Sequence, residues 1–112
     1  MADNDSAWYS VRTIIRFPHL GPTYEERVTL WRASSFDEAI VRAEEEGLDY
    51  CRDLDAEWCG LVQAFLIGVE PLEAGSEVFS LMRDSDLDAD AYVDSFFDTG
   101  AERQRTVTEG DG

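Results

Sequence analysis

The chain has no lysine, a single histidine, two cysteines and three prolines in 112 residues, and its nine bases, all arginine, face 25 acids. So few bases under a net charge of −16 exclude nucleic-acid backbones and anionic membranes as direct partners, and leave a basic protein as an admissible one. One imidazole cannot be assembled into a catalytic triad; His19, between Pro18 and Leu20, reads as an exposed turn residue. Cys51 and Cys59 are too few for a disulfide framework and read as reduced core residues among apolar neighbours. Walker, GxGxxG and HExxH patterns are missing, so we expect no enzyme, cofactor or metal. The most apolar stretch, Trp58 to Val69, is too short and too interrupted to span a bilayer. The leading MADNDSA has no charged-then-apolar signal pattern, which makes a cytoplasmic protein the expectation.

What is present is enough for a core. The chain is 44% hydrophobic and aromatic-rich, and its length suits one domain burying roughly two-thirds of its unfolded surface. We expect a frayed polar segment over 1–7, a single domain over 8–100 and a flexible tail over 101–112. Residues 8–17 alternate: Tyr9, Val11, Thr13, Ile15 and Phe17 make a core face, with Trp8, Ser10, Arg12, Ile14 and Arg16 on the other. Pro18 to Pro22 is a turn, and 23–33 is the return strand of a hairpin. There Tyr24, Val28 and Leu30 share a parity, while Glu25, Arg27 and Thr29 face away with Trp31, and the charges suit an edge.

Ser35 with Glu38 fits a capping box, and Phe36, Ala39/Ile40, Ala43, Gly47, Tyr50/Cys51 and Leu54 recur at helical spacing. Gly47 lies on this inward stripe, where it either permits close helix–sheet approach or ends the helix early. The outer face carries Arg42 and the acids Glu44, Glu45, Glu46, Asp49 and Asp53, a solvated face and a candidate surface for a basic partner. Trp58 to Val69 is apolar on both parities and reads as a strand buried on both faces. Residues 76–83 read as a fourth strand, and Ala89, Tyr92, Val93, Phe96 and Phe97 stripe a second helix over about 87–98, with Gly100 as its cap.

The expected fold is therefore α+β, β-β-α-β-β-α, a four-stranded antiparallel sheet of order 2-1-3-4 with two helices on one face. Two helices on one side leave the other side of an apolar sheet bare. Trp8, Ile14, Trp31, Trp58, Val62 and Leu66 are then candidate interface residues of a homodimer packed sheet on sheet. The alternative is a C-terminal helix that crosses over and makes a monomer.

Other motifs carry less. Asp84-x-Asp86-x-Asp88 lacks the glycine and glutamate of a calcium loop, having Ala89 and Ser95 there, and suits a helix N-terminus. Glu25 and Glu26, adjacent on a strand, face opposite sides and do not meet. Asp98-Thr99-Gly100 ends a helix and is not a protease site. Arg103 and Arg105 form the densest basic spot, and Gly60 and Gly68, inside a strand, permit bulging or close packing.

The order of Trp8-Tyr9-Ser10, Tyr24-Glu25-Glu26, Phe36-Asp37-Glu38-Ala39 and Gly75-Ser76-Glu77-Val78-Phe79-Ser80 resembles small bacterial proteins grouped as domain of unknown function 4288. The resemblance covers roughly residues 8–98. It implies a bacterial, intracellular, small α+β protein and supplies no activity, cofactor or site residue. We expect a non-catalytic interaction module. The alternatives are an immunity or antitoxin-like protein using its acidic surface, and a small-molecule binder with a cleft between sheet and helix.

Overall fold

The structure, a computed structural model, describes residues 6–96. It divides into two compact units, Met1–Ser80 and Leu81–Gly112. The first unit runs β1 (Ala7–Phe17), a 3-10 turn (Pro18–Leu20), β2 (Thr23–Ala33), α1 (Phe36–Leu54) and β3 (Glu57–Gly68). The second contains α2 (Ala89–Phe96). The fold is α+β, with an antiparallel three-stranded sheet of order β2-β1-β3.

β1 is the central strand, and its odd-numbered parity, apolar but for Thr13, faces the core. Val11 and Ile15 are 0% exposed, and burying each contributes about 1.5–3 kcal/mol. Ala7, Tyr9 and Val11 join Ala33 of β2 and Ala39 and Ala43 of α1 in the core, with Trp31, Val62 and Ala64 packed against it.

α1 starts as a reciprocal cap. Glu38 N–H donates to Ser35 Oγ at 3.0 Å, and Glu38 Oε1 accepts from Ser34 N–H at 2.6 Å and from Ser34 Oγ at 3.2 Å. The Ser34 N–H bond is the main cause holding the Glu38 carboxyl below its usual range. The helix runs through Gly47, and its buried residues are Ala39, Ala43, Gly47 and Cys51, all one turn apart. A methyl on Gly47 would overlap Cζ3 of Trp58 and lie 3.0 Å from Cε3 and Cη2, so the glycine is what lets the indole lie against the helix. Asp55, at φ 54°, ends the helix in the left-handed region.

Three expectations are corrected. First, β3 is an edge strand, not an inner one, and none of its twelve residues is buried. Second, residues 76–83 form no strand. A turn closed by Ser76 N–H on Glu73 O (3.0 Å) and Glu73 N–H on Ser76 Oγ (2.9 Å) leads into them. The Phe79 ring then meets Phe65, 6.0 Å away, and lies 5.8 Å from the Arg12 guanidinium, contacts with side chains on the sheet's face. Third, the parity of β2 is inverted. Tyr9 pairs with Trp31, Val11 with Thr29, Thr13 with Arg27 and Ile15 with Glu25, so the charged parity shares the core side of β1. The flank of α1 satisfies those charges. Arg27 makes two 3.0 Å bonds to Glu46 and lies 3.7 Å from the Tyr50 ring, while Tyr50 Oη donates to Glu25 at 2.7 Å.

The expected bulges are present. Register shifts fall between Thr13 and Ile15 and between Trp8 and Tyr9 of β1, opposite Gly60 (φ 84°) and Gly68 (φ 136°). In the second unit Asp88 caps α2, its Oδ1 accepting from Ala91 N–H at 2.9 Å, as an acidic helix start requires. Arg83 lies 4.4 Å from the Phe96 ring and donates to Tyr92 Oη at 3.0 Å. Phe97, the Asp98-Thr99-Gly100 triplet, the Gly100 cap, Arg103 and Arg105 lie outside the described residues.

Candidate functional site

α1 covers one side of the sheet, the side of Tyr9, Val11 and Ile15. The ladder therefore assigns the opposite, open side to Trp8, Ser10, Arg12, Ile14 and Arg16 of β1, and to Tyr24, Glu26, Val28, Leu30 and Arg32 of β2. Phe65 and Gln63 of β3 join them opposite Ser10 and Arg12. Of the six expected interface residues, only Trp8 and Ile14 stand on this open side. Trp31 and Val62 pack on the core, Trp58 lies against Gly47, and Leu66 pairs with Tyr9 on the helix side.

The open side carries three apolar residues that sequence reasoning missed as surface. Tyr24 is 59% exposed, Val28 47% and Leu30 44%. The available signal was the turn length. Phe17 and Thr23 flank a five-residue turn, so odd-numbered residues oppose odd-numbered ones and the even parity of β2 shares the face of Trp8 and Ile14. Toward β3 the same face is partly roofed by Phe79 over Phe65 and Arg12, whose guanidinium also pairs with Glu26. Buried there without a hydrogen-bond partner are Ser10 Oγ and Gln63 Oε1.

The second uncovered feature is the outer edge of β3. Among the described residues no strand pairs with it. From Trp58 to Gly68 it carries no charge, and Leu61 and Leu66 are exposed, as is Val69 just beyond the strand. The outer edge of β2 belongs to a strand with Glu25, Glu26, Arg27 and Arg32, the kind of charge that blocks stray pairing.

No protein-family model matches the chain, and comparison with curated proteins and with solved structures returns no match.

The acidic surface is partly spent within the chain. Glu46 binds Arg27 and Asp49 pairs with Arg52, which leaves Glu45 and Asp53 exposed and Glu44 half-buried. The hydrogen bond that Arg27 donates to Glu46 is the main reason the Arg27 pKa is raised. Where α1 ends against β3, a shallow depression of about 350 Å³ is lined by Leu48, Cys51, Arg52, Asp55, Ala56 and Trp58. Its charged groups are engaged locally, Arg52 with Asp49 and Asp55 as the helix cap. Burial pushes the Cys51 thiol up, whereas Cys59 is exposed on the edge strand, which corrects its assignment to the core. His19 is exposed in the turn with its ring 6.1 Å from Phe17. Among the described residues no three His, Cys, Asp or Glu side chains gather as metal ligands. No helix among them is long and apolar enough to cross a membrane.

Proposed function

We propose that this chain is a small non-catalytic interaction module that self-associates through its sheet. One observation carries the proposal: the most apolar strand of the chain, β3, has no buried residue within one copy. Its Leu61 and Leu66 are exposed, and apolar surface left in water is stabilised by a second surface that removes it. The bare patch of Tyr24, Val28 and Leu30 on the open face adds to the same tendency. In the assembly the fourth place of the order 2-1-3-4 is filled from outside the subunit and not by residues 76–83. The likeness to domain of unknown function 4288 proteins is compatible with such a module and names no activity.

The test is the response of the molar mass to salt. Copies carrying −16 repel one another, so screening strengthens self-association, and the mass by light scattering should rise with salt at fixed concentration. An acidic surface that grips a basic protein behaves oppositely, losing its partner as salt rises. That second reading has less support, since two of its five carboxylates already hold arginines of the same chain. A mass that stays at one chain at every salt concentration would falsify the module proposal.

A further inference from the structure

We infer that the outer edge of β3 pairs antiparallel with the same edge of a second copy, about a two-fold axis at Ala64. The product is one continuous sheet of order β2-β1-β3-β3-β1-β2. The inference rests on the self-association proposed above and specifies where it happens.

Backbone chemistry sets the kind of occupant. An unpaired strand edge presents alternate N–H and C=O groups that only another extended chain satisfies in a row. Charge narrows the choice. The edge is neutral from Trp58 to Gly68 in a chain of net charge −16, so a charged strand finds no counter-charge there. It is also the stretch along which a second acidic copy meets no fixed charge. The internal pattern then points to self-pairing. The two register shifts bracket a regular segment, Val62 to Leu66 opposite Thr13 to Tyr9. Its centre is Ala64. A two-fold axis there sets Ala64 against Ala64 of the second copy, Val62 against Leu66 and Gln63 against Phe65. Small meets small on the axis and apolar meets apolar on the helix side, the self-complementarity that an isologous contact requires. The chain's own candidate for this place, residues 76–83, forms no ladder, and its Phe79 is engaged on the open face.

Two measurements on the full chain test the pairing. Amide exchange is followed on the unmodified protein at a dilute and a concentrated setting. Alternate β3 amides between Leu61 and Leu66, those pointing away from β1, should slow by about tenfold or more on association. The remainder, already bonded to β1, should change little. In a Cys59→Ser background, Ala64→Cys should form a disulfide-linked dimer on mild oxidation, because directly opposed strand residues lie within disulfide reach. Leu30→Cys in the same background should not. An associated protein whose outward β3 amides exchange at the dilute rate, or a folded and associating Ala64→Cys variant that does not cross-link, overturns the edge pairing and leaves self-association standing. A chain that is monomeric throughout overturns both.

Discussion

At Gly47 two forces oppose each other, and their sizes decide the outcome of a single methyl. Alanine gains about 1 kcal/mol over glycine inside a helix. Forcing a methyl into packed atoms costs about 1–3 kcal/mol, and here it meets the six-membered ring of Trp58. Gly47→Ala should therefore lose about 1 kcal/mol in urea unfolding, while in a Trp58→Leu background the same change should gain stability. A double-mutant cycle with no coupling would show that the indole does not press on the helix. The inward position of Gly47 was readable from helical spacing alone. The identity of its neighbour was not, because a partner across the fold leaves no mark on local sequence. The cysteines show a related gap. Apolar neighbours suggested two core thiols, yet edge position exposes Cys59 and leaves only Cys51 buried. A thiol reagent should modify Cys59 in the native protein and reach Cys51 only with unfolding, so two fast thiols would contradict the packing of α1 on β3.

Among the elements, β2 is the instructive one. Its alternation was legible, but hydrophobicity assigned its faces the wrong way round. The α1 flank offers Glu46 and Tyr50 to Arg27 and Glu25, so a charged parity sits comfortably under a helix and an apolar parity is left in solvent. Turn length, a purely local quantity, fixes that choice more firmly than composition does. The hydrogen bond from Tyr50 to Glu25 is the first cause raising the Tyr50 pKa. A raised folded-state pKa means that the native chain holds this proton more tightly than the unfolded one. The resulting stability is complete below the unfolded tyrosine value of about 10 and fades as pH rises toward the folded value. Between about pH 8 and about pH 11 the unfolding midpoint of the native sequence should fall further than that of Tyr50→Phe. Equal falls would mean that the bond contributes nothing to folding. The strand at 58–69 was likewise legible as a strand. Its inner position was not, since it depended on a fourth strand that Phe79 diverts to the face of the sheet.

In the first unit α1 covers one side of the three-stranded sheet, and among the described residues no strand pairs with the outer edge of β3, the most apolar strand. Strand alternation led to the expectation of a bare apolar face, and the register assigns exposed apolar residues to Tyr24, Val28 and Leu30 of β2 and to Leu61 and Leu66 of β3. Strand register is not readable from single-strand patterns, which is why four of the six residues first assigned to an interface lie on the helix side of the sheet. Sedimentation equilibrium of the full chain, from about 1 μM to about 1 mM at moderate salt, is the most direct test of self-association. The mass should climb from one 12.6 kDa chain toward twice that value as concentration rises. A constant mass of one chain over the whole range would contradict the account.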